Sequence, residues 1–395
     1  MADLTTLITN IQADVDAADS DTSMRDILAL LHRGSKITTF HKWYDSAGVL
    51  PIDSAYGGYI AFTKGDNALR VFNDSDMRWA ALDSAVATAG STGNPSGGTA
   101  YGYTIGGSPW PTGGNVIERF SFTVDGNSTD VGDLTHAHYA GGIGQSLTHA
   151  YYMGGTDELA PVYYTNRIQK IQFASSGDAT ELSYYLTGQR TRMQNGVHTT
   201  PTHAFLAGGY RSPGGFYSEI QKYSYADDAN ASDTGGDLSS ASADFAGQMS
   251  PTHAYLTGGT PSVNPDTGKI YKYPFAITSG TETAVGDLTP QYTTQHDQSG
   301  ASSATHGYVF SGTILDAIEK FPFAADANST DVGDLVQMAW RSGCTQSTSH
   351  GYNLGGSSPA VSVNNIQKFD FSSDGDSTDV GDLTVARTYA RGAAE

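Results

Sequence analysis

From residue 100 onward, apolar and polar side chains alternate in short runs, and the runs recur. Ile220-Gln221-Lys222-Tyr223-Ser224-Tyr225 is one of them. Alternation at every second residue marks a strand with one buried face. The pattern Ile-x-Lys/Arg-aromatic-x-aromatic occurs at Ile117–Phe122, Ile220–Tyr225, Ile270–Phe275, Ile318–Phe323 and Ile366–Phe371. A sixth copy, Ile168–Phe173, has Ile171 at the first aromatic position. The copies start at 117, 168, 220, 270, 318 and 366, a spacing of 48 to 52 residues.

Two further motifs share this period. Thr-His-Ala/Gly-Tyr/Phe-x-x-Gly-Gly precedes the strand at Thr148–Gly155, Thr202–Gly209 and Thr252–Gly259, with variants at Thr305–Gly312, Ser349–Gly356 and Ala100–Gly107. Ser-Thr-Asp-Val-Gly-Asp-Leu follows it at Ser128–Leu134, Ser329–Leu335 and Ser377–Leu383. That motif is blurred at Ser232–Leu238 and Glu282–Leu288, and nearly lost around Thr180–Leu182. Several short strands per repeat of this length predict propeller blades. The segment Thr384–Gly392 looks like the first strand of a seventh unit. The first unit lacks that strand, so the C-terminal strand is expected to complete blade one and leave no open edge.

The repeats resemble kelch repeats over residues ~95–395. Val-Gly-Asp-Leu stands where a kelch blade carries its outer-strand Trp. The resemblance implies an all-β fold, a six-bladed kelch-like β-propeller with a small N-terminal attachment domain. In that domain, Leu4, Leu7, Ile8, Ile11 and Val15 share one helical face. Met24, Ile27, Leu28 and Leu31 form a second helix, capped near Asp21 or Thr22 and stopped at Gly34. Residues 1–35 thus predict a helical anchor, 36–85 a β-hairpin module and 86–99 a linker. The strands Gly58–Phe62, Leu69–Phe72 and Trp79–Leu82 resemble a hairpin module of bacteriophage tail-fibre and virion proteins. The Asp-Ala-Asn-Ser-Thr-Asp-Val-Gly-Asp-Leu strings resemble propeller proteins of marine phages.

Composition narrows the chemistry. A net charge of −20 disfavours nucleic acid and anionic membranes as partners. No run approaches a membrane span, and Met1-Ala2-Asp3-Leu4 is not the start of a secretory signal, which predicts synthesis in a host cytoplasm without export. The single cysteine, Cys344, excludes an intramolecular disulfide. The repeated His149, His203, His253, His306 and His350 are read as scaffold, because symmetric copies lie far apart. Strings such as Asp125-Gly126-Asn127, Asp326-Ala327-Asn328 and Asp374-Gly375-Asp376 lack the distal Glu of a calcium loop and are read as capped turns. No nucleophile elbow or phosphate loop is present. The expectation is a protein that is not an enzyme and holds no metal or cofactor.

The connections after the Gly-Gly strands differ from blade to blade. They hold Trp110, Tyr163, Tyr164, Tyr210, Arg211, Phe216 and Tyr217. Aromatic rings with polar neighbours suit sugar recognition, so these seven are the candidate ligand-binding residues. Together with the phage resemblance they predict a tail-fibre-like virion protein. Its residues 1–85 dock on other virion proteins, as a homo-oligomer, and its propeller binds a host-surface glycan or protein. A capsid or tail decoration protein without receptor binding, and a glycan-active enzyme, are the alternatives.

Overall fold

The computed structural model describes residues 60–63, 68–73, 78–81, 97–108, 114–157, 163–173, 177–227, 229–261, 268–289, 297–310, 315–358 and 361–395. The chain divides into two compact units, Met1–Ser91 and Thr92–Glu395. In the first, Ile60–Thr63, Ala68–Asn73 and Arg78–Ala81 form an antiparallel sheet in chain order, with Ile60 opposite Val71 and Arg70 opposite Ala81. The predicted helical anchor, 1–35, lies outside the described residues.

The second unit is a six-bladed β-propeller. Blade 5 shows the pattern: Ser299–Ser302 innermost, then His306–Phe310, Ala317–Pro322 and Thr330–Asp334 outermost. The Thr-His motif therefore opens the second strand, the Ile motif forms the third, and Thr-Asp-Val-Gly-Asp forms the outer one. The innermost strand of blade 1 is Arg391–Ala394, paired antiparallel with Tyr101–Ile105. Gly98 N–H donates to Gln346 O at 3.0 Å and Thr99 N–H to Glu395 O at 2.7 Å. Gly98 and Thr99 thus belong to the propeller rather than to the expected 86–99 linker.

Aromatic rings join the blades. The Tyr of each Thr-His-x-Tyr motif packs against the paired aromatics of the next blade's third strand. Tyr255 lies 5.5 Å from Phe321 and 4.8 Å from Phe323, and Tyr308 lies 5.0 Å from Phe369 and 4.8 Å from Phe371. Tyr352 closes the circle on Phe120 and Phe122. Such pairs contribute roughly 0.5–1.5 kcal/mol each beyond burial alone. The two sequence motifs recur together because one fills the cleft made by the other.

The double glycines serve a second contact. Gly154 and Gly155 take φ values of 64° and 103°, and a Cβ on Gly154 would lie 2.7 Å from Arg190 O in the next blade. Gly155 N–H uses that closeness to donate to Arg190 O at 2.8 Å. Glycine alone has both the backbone freedom and the absent side chain this needs.

A buried side chain after the strand-three Ile forms a third link. Gln169, Gln221 and Gln367 accept from the backbone N–H of Thr135, Thr187 and Gln337 in the preceding blade, at 2.7, 3.2 and 2.9 Å. Glu319 and Glu118 do the same for Thr289 and Thr384. Blade 4 has Tyr271 there, and Glu282 from its outer side takes over by accepting from Ser239 N–H at 2.7 Å. Burial pushes the Glu319 carboxyl above its ordinary range. A raised carboxyl favours the fold below the unfolded pKa and costs stability once pH exceeds the folded value. Glu319→Gln keeps the acceptor, as three other blades do. Its urea midpoint is expected to match or exceed the parent's at pH 7, and a lower midpoint would contradict this.

In blade 2 the outer strand is Thr180–Tyr185, and Leu186, not Leu182, takes the motif-closing position. Its N–H donates to Asn166 O at 2.9 Å, just as Leu134 donates to Asn115 O and Leu383 to Asn364 O. The blade carries a longer outer strand, which hid the motif.

Candidate functional site

One residue in each blade, at or near the start of its innermost segment, takes the left-handed region: Ala140, Arg192, Asp244, Asp297, Arg341 and Tyr389, with φ between 54° and 63°. This conformation is uncommon for any residue but glycine and concentrates where surrounding structure enforces it. Here the enforcing structure is a chain of backbone hydrogen bonds from one such residue to the next, running from Asp297 through Arg341, Tyr389, Ala140 and Arg192 to Asp244. Arg192 N–H donates to Ala140 O at 2.7 Å, Asp244 N–H to Arg192 O at 2.8 Å, Arg341 N–H to Asp297 O at 2.9 Å and Ala140 N–H to Tyr389 O at 3.1 Å. Six side chains of four kinds are thereby presented around the propeller axis.

Above this ring opens a cavity of about 310 Å³, lined among others by Tyr139, Tyr164, Arg192, Tyr210, Arg341 and Tyr389. Arg192 donates through Nε to Asp244 Oδ1 at 3.0 Å and through a terminal nitrogen to Oδ2. Arg341 Nε donates to Asp297 Oδ2 at 3.1 Å. The guanidiniums are 32 % and 38 % exposed, while their carboxylate partners are 3 % and 1 % exposed. The cations therefore face the cavity and the anions lie beneath. Arg341 stacks over Tyr389 at 4.9 Å and Arg192 over Tyr210 at 5.5 Å. Burial raises the Tyr389 phenol far above its usual range, so it stays a hydrogen-bond donor.

Beneath the cavity the axis narrows to a neck with about 10 Å³ of free space, bordered by Asn195, Gln298 and Arg391. Asn195 Nδ2 reaches across to Ser342 O at 2.5 Å. Arg391 is buried and, among the described residues, donates to the carbonyls Gly141 O, Ala390 O and Tyr389 O. The Gln298 amide is 1 % exposed, and neither its Nε2 nor its Oε1 has a hydrogen-bond partner among the described residues.

No family model matches this chain, and no curated protein does.

The sequence-predicted residues divide around this mouth. Tyr164 and Tyr210 come together edge to face with centroids 6.2 Å apart, both on the cavity wall. Phe216 backs Tyr210 at 5.1 Å across the short hairpin of Tyr210–Arg211 and Gly215–Phe216. Arg211 is exposed on that hairpin. Tyr217 lies under Arg190 at 4.3 Å, within a scaffold pair in which Arg190 bonds Glu219 at 2.8 Å. Tyr217 thus packs against the frame instead of lining the cavity. Tyr163 lies in the strand Tyr163–Gln172 with its side chain outside the description, and Trp110 lies outside the described residues altogether.

Arg192, Arg341, Tyr389 and Tyr139 escaped the sequence reading. A weak signal existed: the position that precedes each inner segment carries Ala, Arg, Asp, Asp, Arg and Tyr around the six repeats, with no shared type.

The repeated histidines occupy turns at the strand-two start. Each Nδ1 lies 2.8 Å from the hydroxyl of the preceding residue, Thr148, Thr202, Thr252, Thr305 or Ser349. The Asp-x-Asn/Asp strings latch neighbouring blades. Asn127, Asn328 and Asp376 accept from Asp382, Asp287 and Asp334 N–H at 2.9–3.0 Å. Asp125, Asp326 and Asp374 pair with Lys368, Lys272 and Lys320. Cys344 is buried, its thiol pushed up to about 11 by burial, which leaves it unreactive at neutral pH.

Proposed function

We propose that this protein is a bacteriophage virion protein, tail-fibre-like, whose kelch-like propeller binds a host-surface glycan at its axial mouth. The mouth carries the binding half of this reading. Four Tyr rings and two half-exposed Arg side chains surround a space of about 310 Å³, the combination that stacks on a sugar ring and bonds its hydroxyls. The virion half rests on the sequence resemblances of residues 58–82 and of the repeated outer-strand strings. Residues 1–85 would then join the propeller to other virion proteins. The activity is binding without turnover.

The test is a glycan array probed with the full chain, followed by titration of the best hit. Tyr210→Ala removes a cavity ring that both Tyr164 and Arg192 contact. It is expected to weaken binding at least tenfold while the unfolding midpoint falls only modestly. Full affinity in this variant would move the site elsewhere. Shortening of a polysaccharide on incubation would replace binding by catalysis. Antibody fragments against the propeller should label distal fibres of the particle. Label confined to the capsid would favour a decoration protein.

A further inference from the structure

The axial mouth brings cationic side chains together in an otherwise acidic protein. The chain carries a net charge of −20. Around the axis, Arg192, Arg341 and Arg391 stand against Asp244 and Asp297, a local excess of one positive charge. Orientation amplifies that excess. In both ion pairs the carboxylate is almost wholly buried and the guanidinium faces the cavity. Arg192 engages its Asp through Nε and one terminal nitrogen, which leaves the other terminal nitrogen for a ligand. Arg391 adds a buried cation with no carboxylate within ion-pair reach among the described residues.

The neck supplies an independent observation. A buried amide normally has its hydrogen bonds made, because leaving donor and acceptor unmet costs about 1–3 kcal/mol. Gln298 has neither bond, and it borders a space of about 10 Å³, room for a single oxygen. The neck and the cavity adjoin, with Arg341 and Tyr389 in the walls of both.

We infer that the mouth selects an acidic saccharide, with the carboxylate of the sugar held between Arg192 and Arg341 and one oxygen directed to Gln298 in the neck. This deepens the glycan-binding reading and rests on it. Aromatic rings alone would accept neutral and acidic sugars alike. The cationic rim makes the difference, in a protein whose net charge is −20.

The experiment compares an oligogalacturonate with its methyl ester by calorimetric titration against the full chain. The acid is expected to bind at least tenfold tighter than the ester, with affinity falling as salt rises. Gln298→Met breaks no side-chain hydrogen bond of the fold, so its unfolding midpoint should hold while affinity for the acid drops about fivefold. Arg192→Met combined with Asp244→Asn removes the pair without leaving a buried carboxylate alone, and should erase the preference for acid over ester. Equal affinity for acid and ester would overturn the inference and leave glycan binding standing. Binding of neither, with no hit on a broad glycan array, would remove the glycan reading itself.

Discussion

Replacing Arg387 by alanine is expected to lower the unfolding free energy of the propeller by about 3–5 kcal/mol, the usual cost of leaving one member of a buried ion pair alone. Arg387 and Glu118 are both fully buried. The guanidinium donates to Glu118 and also to Gly106 O at 3.0 Å and Val116 O at 3.1 Å. Glu118 in turn accepts from Thr384 N–H at 2.9 Å, Thr384 Oγ1 at 2.7 Å and the Ser128 hydroxyl. Through this cluster the last residues of the chain grip the first blade. Without Arg387, the buried Glu118 carboxylate loses its cation and Gly106 O loses a donor, while Val116 O keeps Gly106 N–H at 3.1 Å. Lys368→Ala provides the contrast. Its partner Asp125 also spans blades 6 and 1, yet the carboxylate is 53 % exposed, and an exposed pair is worth at most about 1 kcal/mol. Urea denaturation separates the two, with the midpoint falling far more for Arg387→Ala at unchanged slope. Equal shifts would mean that strand pairing and ring packing, not the buried pair, hold the circle closed.

That cluster also marks where the sequence stops being informative. The six blades were legible because each strand buries one face, which forces period-two alternation, and because every blade meets an almost identical neighbour. Tyr255 packs against Phe321 and Phe323, as Tyr308 packs against Phe369 and Phe371, so closely similar letters recur from blade to blade. The mouth obeys the opposite logic. The ring at Ala140, Arg192, Asp244, Asp297, Arg341 and Tyr389 is fixed by backbone hydrogen bonds, which carry no side-chain signature. Its side chains are free to differ, and alternation says nothing about a residue in the left-handed region. Tyr164 and Tyr210 were found because aromatics are conspicuous in a variable connection. Tyr217 was selected on the same ground, yet its ring meets Arg190 of the frame. Residue type could not tell those two fates apart. Gln194 is another silent case: in blade 3 its amide bonds Phe205 O at 2.8 Å and Ala207 N–H at 3.0 Å, replacing strand backbone with a side chain.

Acid should unfold this protein at a pH where its surface carboxylates are still mostly ionised, because two histidines are locked in the neutral form. His198 is fully buried. Its Nε2–H donates to Tyr255 O at 2.9 Å, and its Nδ1 accepts from the Tyr273 hydroxyl at 3.0 Å. Burial lowers it to about 4. His138 is likewise lowered to about 4, by burial first, with His136 and Arg167 adding to the effect and Asp157 opposing it. Its Nδ1 accepts from Gln169 Nε2 at 2.9 Å. That amide cannot turn over to accept from a protonated ring, because Gln169 Oε1 already holds Thr135 N–H at 2.7 Å. Both folded values lie below the ordinary 6.5, so the folded state binds fewer protons than the unfolded chain. The stability they contribute is whole above about pH 6.5 and lost as pH falls toward 4, at about 3 kcal/mol for each group. The half-buried His149, His203, His253 and His306 are lowered by burial too and act in the same direction. Glu319, raised by burial, acts in the opposite one. Urea midpoints measured from pH 7.5 down to 4.5 should therefore fall steeply below pH 6. In His198→Gln the midpoint should start lower at pH 7.5 but decline less with acid, because one titrating group is gone. A midpoint flat from pH 7 to 4.5 would show that both rings can take up a proton in the fold, and that the contacts around His198 and Gln169 rearrange to receive it.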